Sequence, residues 1–170
     1  MSPTSVQVAA SGACWVGRSA RSVSQILIEA ISGARREILI LAYSMTPGAG
    51  TLLREVQARG RVGVRVRILV NRFSEQSRTS RTFLMGLVKG FPDGRVYSFE
   101  PTTSEEDLHA KVIVIDRSVA IVGSANFSWS GLARNHELCL EVRGETAEVI
   151  GKLIDDLILE GPVREIGQGR

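Results

Sequence analysis

A continuous apolar run in the segment 37–43, EILILAY, constrains the fold of this chain more than any other feature. A strand without polar alternation is typical of a sheet that is covered on both faces. Apolar side chains recur at helical spacing in residues 22–33, immediately before this strand, and predict an amphipathic helix there. The two elements together favour an α/β fold in which helices pack on a buried sheet.

The remaining patterns extend this alternation of helices and strands along the chain. The segment 64–70, VRVRILV, alternates as a strand does and places Arg65 and Arg67 on one face. Helices are predicted at 52–59, 77–88 and 145–159, and further strands at 95–99, 108–115, 119–123 and 137–142. This order predicts a mixed β-sheet flanked by helices on both faces. The last helix carries an apolar stripe, predicted to face the core, formed by Val149, Ile150, Leu153, Ile154, Leu157 and Ile158.

Length and composition exclude several classes of protein. The 170 residues suit one domain with a real core. Since no apolar stretch is long enough to span a bilayer and the N-terminal sequence lacks a signal-peptide pattern, we expect a cytoplasmic protein without stable membrane association. Two distant cysteines, Cys14 and Cys139, and two histidines are too few to predict a disulfide scaffold or a metal site.

The net charge of +3 conceals an asymmetry between the two parts of the chain. Residues 1–100 carry 14 Lys and Arg against 6 Asp and Glu, whereas residues 101–170 carry 7 against 12. The basic excess peaks between Arg54 and Arg81 and favours a phosphate-rich partner such as nucleic acid. Only 3 of the 21 basic residues are lysine, so the base composition of the genome explains the arginines equally well.

Two titratable side chains stand in the predicted strand 108–115, which is otherwise apolar. His109 and Lys111 are two residues apart, so both are predicted to point to one face of that strand. An unpaired lysine in a core is costly, although a lysine near the start of a strand can extend its amine to solvent. The pair therefore either satisfies itself structurally or handles a charged substrate.

Further polar residues follow at the ends of neighbouring strands. The segment 123–126, GSAN, comes directly after a predicted strand, and its glycine permits a tight turn with an amide donor beyond it. Glu137 opens the next strand, where its carboxylate is placed to orient a neighbouring imidazole. A histidine, a lysine, an asparagine and a carboxylate form a set that suits an anionic phosphate.

These motifs resemble a known family. The pattern His109-x-Lys111-x4-Asp116, followed by Gly123-Ser124-x-Asn126, is similar to the HKD signature of the phospholipase D superfamily. The segments ILIEAISGARREILILAYSMT and VGVRVRILVN resemble the first helix–strand unit and the second strand of that family. The resemblance begins near residue 19, which implies an N-terminal extension at 1–18 and a single phospholipase D-like catalytic domain at 19–170.

The resemblance implies a mechanism with a covalent phosphohistidine and without a metal or another cofactor. It assigns His109 as nucleophile or general acid and Glu137 as the residue that orients it. Lys111 and Asn126 are expected to bind the phosphate, and Ser124 to support them. Asp116 belongs to the signature, but we expect it to anchor its turn through backbone hydrogen bonds.

The implied mechanism needs two copies of the motif, and this chain contains one. We therefore expect a homodimer with one active site shared across a two-fold axis. Short single-motif members of the superfamily are typically dimeric endonucleases, so the resemblance favours a nonspecific endonuclease acting on DNA or RNA. Arg65 and Arg67 in the basic segment, and Trp129 after the motif, are predicted to bind the substrate, although Trp129 also suits core or dimer packing.

Two other functions remain open at this stage. The same chemistry suits a phospholipase or phosphatidyl transferase that acts on phospholipid headgroups. A non-catalytic nucleic-acid-binding module is the second alternative. The presence of His109, Lys111, Asn126 and Glu137 argues against that module, because a degenerate copy is expected to lose one of them.

Overall fold

A computed structural model of the chain describes residues 4–15, 17–103 and 105–167. Nine strands form one sheet in the order β2-β1-β8-β7-β6-β3-β4-β5-β9. The strands are β1 Ser5–Ser11, β2 Arg21–Ser22, β3 Glu37–Ala42, β4 Arg65–Asn71, β5 Gly94–Phe99, β6 Lys111–Ile115, β7 Val119–Gly123, β8 Glu137–Arg143 and β9 Val163–Ile166. The helices are α1 Val23–Ser32, α2 Gly50–Arg61, α3 Arg78–Val88 and α4 Glu145–Glu160.

The predicted mixed α/β fold is confirmed. Strands β3, β4 and β5 are parallel, while β6, β7 and β8 form antiparallel pairs beside them. All six residues of β3 are buried, as its unbroken apolar pattern predicts. Ile38 and Ile40 pack with α1, α2 and α3, whereas Leu39 and Leu41 pack on the face that α4 covers. Each such side chain contributes about 1.5–3 kcal/mol on burial.

The N-terminal segment contributes a strand to the sheet, and the domain boundary expected at residue 19 remains a prediction. β1 pairs with β8 over seven residues, from Ser5 opposite Arg143 to Ser11 opposite Glu137. The sequence did not reveal this strand because its inward residues include the small Ala9, while Val6 and Val8 point to solvent. β2 and β9 are short edge strands that the apolar pattern also did not predict.

The strand predicted at 108–115 begins three residues later. Pairing with β3 starts at Leu41 opposite Val112, and β6 begins at Lys111. His109 and Ala110 are exposed and lie outside the strand. Within the described part of the chain, the backbone N–H of Leu108 donates to the side chain of Asn71 on β4 and not to the backbone of a neighbouring strand. The segment 108–110 therefore lies outside the hydrogen-bond ladder of the sheet.

One face of the sheet is only partly covered. The predicted core-facing stripe of α4 buries Ile154, but Val149 and Leu153 are more than half exposed, so the expectation was wrong for these two residues. Beyond α4, the same face of β1 and β8 leaves apolar side chains in solvent. We call these residues the open apolar face: Val6, Val8, Leu138 and Leu140, with Val149 and Leu153 of α4. No helix in the described ranges is long and apolar enough to cross a membrane.

Candidate active site

His109 and Lys111 meet at the end of the sheet where β3 and β4 finish and β6 begins. The ammonium Nζ of Lys111 lies 3.1 Å from both ring nitrogens of His109 and donates to the His109 carbonyl oxygen at 2.7 Å. Lys111 is 6% exposed, whereas His109 is exposed. A buried cation therefore lies directly against an accessible imidazole, although His109 lies outside the strand on which the sequence placed it.

Lys111 is buried, with a carboxylate and an aromatic ring nearby. Burial lowers the pKa of its ammonium group, and the charge of Glu137 opposes that shift. Tyr43, which sequence reasoning missed, places its ring 5.5 Å from the ammonium and 4.9 Å from the His109 ring. A cation held away from water interacts more strongly with a phosphate than a solvated one does.

The neighbouring strands bring Glu137 and Ser124 to the same end. A Cβ on Gly123 would overlap the side chain of Cys139, so glycine is needed where β7 approaches β8. The hydroxyl of Ser124 donates to the Glu137 carboxylate, and Asn135 Nδ2 donates to the same carboxylate at 3.3 Å. These bonds fix Glu137 at the first position of β8.

The predicted contact between Glu137 and His109 is absent from this arrangement. Among the residues that the structure describes, Glu137 accepts from Ser124 and Asn135, and no hydrogen bond joins it to His109. Its charge acts on Lys111 instead. A role for Glu137 in orienting His109 remains a prediction.

Asn126 contributes a buried amide with unused hydrogen-bonding capacity. Its Oδ1 atom is buried and has no hydrogen-bond partner among the described residues. A buried polar atom without a partner costs about 1–3 kcal/mol. The next residue, Phe127, accepts from the N–H of Thr46 at 3.0 Å, which ties this loop to the one after β3.

A second group of residues, not found from the sequence, holds the segment before His109. Asn71, 3% exposed at the end of β4, accepts from the N–H of Leu108 at 2.9 Å and donates to Asp107 at 2.8 Å. Arg72 donates to the same Asp107 oxygen at 3.2 Å. The pKa of Asp107 is lowered, first by the Asn71 bond and then by Arg72. We call Asn71, Arg72 and Asp107 the latch.

Arg72 adopts the conformation that the latch requires. Its φ is +39°, in the left-handed region that non-glycine residues rarely occupy. The guanidinium also donates to the carbonyls of Thr103 and Glu106, at 2.9 Å each. The acidic loop before His109 is therefore fastened to the end of β4 at several points.

Asp116 does not join the other predicted site residues. It follows β6 at the end opposite Lys111, about 16 Å away for five strand residues. Its carboxylate accepts the backbone N–H groups of Arg35, Arg36 and Glu37 at 2.7–2.8 Å. Burial raises its pKa, but these bonds and the charge of Arg36 outweigh burial, so the pKa is lowered overall. Asp116 anchors the α1–β3 connection through backbone hydrogen bonds, and a part for it in the catalytic set remains a prediction.

Arg65 and Arg67 also lie apart from the other predicted site residues, and their role in substrate binding remains a prediction. β4 starts at Arg65, so both side chains lie toward the end of the sheet away from Lys111. Arg67 forms ion pairs with Glu37 and Asp155, and Arg117 pairs with the same two carboxylates. The alternating pattern of β4 correctly predicted that the two arginines share one face of the strand. It did not predict which end of the sheet they occupy.

Trp129 and His136 lie in the loop between β7 and β8. Trp129 is 58% exposed, three residues after Asn126 and therefore at the same end of the sheet as His109. The Nε2 atom of His136 accepts from the backbone N–H of Cys14 at 3.1 Å. This ring nitrogen is already engaged with the N-terminal segment, in keeping with a loop residue.

Comparison with known proteins identifies a matching family model and a related protein. The family model described as cardiolipin synthase, PLD-like domain, matches residues 27–157. The DISARM protein DrmC of Bacillus paralicheniformis is 30% identical over 139 residues, which cover 81% of this chain and 57% of that protein. The chain thus spans little more than half the length of this relative.

Solved structures show the same fold. A phospholipase D family member, Nuc from Salmonella typhimurium, has a TM-score of 0.75 at 22% identity, covering 96% of this chain and 99% of that chain. NucT from Helicobacter pylori has a TM-score of 0.72 at 19% identity, covering 94% and 98%. The architecture of this chain therefore matches nearly the whole of each of these two structures.

Proposed function

Since the chain belongs to the phospholipase D superfamily, whose members are phosphodiesterases, we propose that it is a metal-independent endonuclease that cleaves DNA or RNA without sequence specificity. The observation that carries this proposal is the pairing of an exposed His109 with a buried Lys111 whose ammonium lies 3.1 Å from the ring nitrogens. A nucleophile and a phosphate-binding cation thus occupy one place on the surface.

The proposed reaction has two displacement steps. A ring nitrogen of His109 forms a bond to phosphorus while the bond from phosphorus to the leaving oxygen breaks. A second imidazole gives its proton to that oxygen and then takes a proton from water, whose oxygen displaces His109 from phosphorus. Lys111 and Asn126 hold the phosphoryl oxygens throughout. No step of this scheme requires a metal ion.

A second copy of the chain is proposed to supply the second imidazole. The only other histidine in the sequence is His136, whose Nε2 is bonded to Cys14. The open apolar face adjoins Glu137 and Ser124 through Leu138, so a two-fold partner on that face lies next to the site. Burying these side chains favours association, and the symmetry brings the partner's His109 toward the same phosphate.

Charge and architecture support a nucleic-acid substrate. Arg54 and Arg78 are exposed near the starts of α2 and α3, which follow the strand ends that surround His109. A phosphate backbone that crosses this end of the sheet meets these side chains beside the site. The fold also matches nearly the whole of Nuc rather than one part of a longer protein.

A phospholipid headgroup is the second candidate substrate. The matching family model carries the name of cardiolipin synthase, and the same displacement at phosphorus serves a lipid phosphodiester. The two substrates are distinguished by one paired assay in excess chelator. Plasmid, single-stranded DNA and RNA are offered on one side and mixed phospholipid vesicles on the other, each with wild type and His109→Ala. Cleavage of nucleic acid that is lost in the variant supports the proposal, whereas headgroup release alone moves the protein to the lipid substrate.

A further inference from the structure

A cavity of about 360 Å³ lies between α1, the start of α2 and the loop that follows β7. The side chains that bound it include Trp129, Arg54, Thr51, Ile28 and Leu132. A larger cavity of about 910 Å³ borders α4 at the other end of the sheet. Its cations are already paired there, Arg117 with Asp155 and Lys152 with Asp156. The smaller cavity is therefore the better place for a phosphate-bearing ligand.

Trp129 presents an aromatic surface to this cavity. Its side chain is 58% exposed, although a large aromatic residue is ordinarily buried. A Cβ added to Gly48 would lie 3.2 Å from both the Cβ and the backbone nitrogen of Trp129. Glycine at this position lets the loop after β3 pass closely beneath Trp129, which keeps the indole beside the cavity.

Arg54 supplies a positive charge to the same space. Its Nη2 donates to the hydroxyl of Thr51 at 2.9 Å, which directs the guanidinium along the first turn of α2. Throughout the described ranges Arg54 is in no ion pair, in contrast to Arg67 and Arg117. Its remaining donors are free for a phosphate oxygen.

We propose that this cavity binds an unpaired nucleobase of the substrate strand, stacked on Trp129, with a phosphate of that strand on Arg54. The inference rests on the proposed endonuclease function and names its substrate class as single-stranded nucleic acid. A base in a duplex is already stacked on its neighbours, whereas an unpaired base is free to stack on an aromatic side chain. Trp129 is three residues from Asn126, so the bound base belongs to a nucleotide close to the scissile phosphate.

Fluorescence of Trp129 tests this binding without any need for cleavage. The sequence has two tryptophans, so Trp15→Phe in a His109→Ala background leaves Trp129 as the sole indole. A short oligothymidylate is titrated in, and a strand of equal length without bases serves as the comparison. We expect quenching by the oligothymidylate and little change with the abasic strand. Equal quenching by both strands, or none by either, overturns the proposal and leaves Trp129 with a packing role.

A matched variant keeps the other indole. Trp129→Phe in the same His109→Ala background retains Trp15, which is also exposed. Its fluorescence is expected to change little with either strand. If the oligothymidylate quenches the variant that retains Trp15 and not the variant that retains Trp129, the base binds elsewhere and the proposal is contradicted.

Cleavage kinetics give the second reading. Trp129→Ala and Arg54→Ala are each expected to raise KM for a single strand about tenfold, because one stacked base is lost or one phosphate contact is removed. The abasic strand has no base to stack, so Trp129→Ala should change its KM much less than it changes the KM of the oligothymidylate. An unchanged KM in both variants overturns the subsite while leaving the endonuclease intact. A wild-type chain that cleaves no nucleic acid, yet shows the quenching, refutes the endonuclease and leaves the subsite standing.

Discussion

The side-chain oxygen of Asn71 accepts a hydrogen bond from the backbone N–H of Leu108 at 2.9 Å, across 37 residues of sequence. Asn71 ends β4 and Leu108 immediately precedes His109. This hydrogen bond therefore holds the segment that carries the exposed imidazole against the end of the sheet. Asp107 and Arg72 add two more contacts to the same junction. The latch therefore determines where His109 stands relative to Lys111.

Removing the latch should lower kcat more than it changes KM. Asn71→Ala releases Leu108 and Asp107, and a displacement of the nucleophile by about 1 Å can cost about 100-fold in rate. The check is steady-state kinetics on single-stranded DNA, at a temperature where unfolding measurements show the variant to be folded.

A double substitution provides the control for the latch. Asn71→Asp combined with Asp107→Asn reverses the amide and the carboxylate, so an acceptor for Leu108 and a bond between the two side chains are both kept. We expect it to recover much of the kcat lost in Asn71→Ala. Equal losses in the single and double variants would show that the latch is merely structural.

The buried ammonium of Lys111 predicts the pH dependence of kcat/KM. Burial lowers its pKa, so the positive charge is present at low pH and is lost, as pH rises, earlier than in an ordinary lysine. Activity should fall on the alkaline side as this proton leaves. Lys111→Arg keeps the charge and should move that limb to higher pH, whereas an unmoved limb assigns it to another group.

Asp116 is expected to act on stability and not on substrate. Asp116→Asn removes a carboxylate that accepts three backbone N–H groups, so the free energy of unfolding should fall by about 1–3 kcal/mol. Asparagine tolerates the φ of +52° at this position, so backbone strain does not confuse the comparison.

The pH dependence of stability distinguishes this role. Because the folded pKa of Asp116 is lowered, its contribution is present above the unfolded carboxyl pKa and is lost as pH falls through the folded pKa. Denaturant unfolding should show wild type and Asp116→Asn converging in acid. A large loss of activity with unchanged unfolding would contradict the anchoring role.

Variants of the two arginines of β4, Arg67 and Arg65, also distinguish an effect on stability from an effect on substrate binding. Arg67→Leu leaves Glu37 and Asp155 with one shared arginine, Arg117, and should destabilise the fold by about 3 kcal/mol without changing KM for nucleic acid. Arg65→Ala, at an exposed position on the same face, should change neither quantity. A raised KM for nucleic acid in either variant would show that the substituted arginine binds the substrate.

Local sequence patterns predicted the structural features that are formed by residues close together in the sequence. The apolar run of β3 and the spacing of His109 and Lys111 were sufficient for the buried strand and for the histidine–lysine pair. The latch escaped prediction because Asn71 and Asp107 are distant in sequence and meet only when β4 and β6 are placed in one sheet. For the same reason, alternation predicts the face of β4 on which Arg65 and Arg67 lie but not which end of the strand lies beside His109. β1 was missed because alanines carry little apolar signal.

The most direct measurement of the central claim is mass spectrometry of the chain, denatured rapidly at alkaline pH to preserve a phosphohistidine, during reaction with a single-stranded oligonucleotide in excess chelator. The proposed mechanism predicts a covalent nucleotidyl adduct on His109 in the wild type, and neither adduct nor turnover in His109→Ala. Near wild-type cleavage by His109→Ala, or rapid turnover that stops when divalent ions are removed, would contradict it.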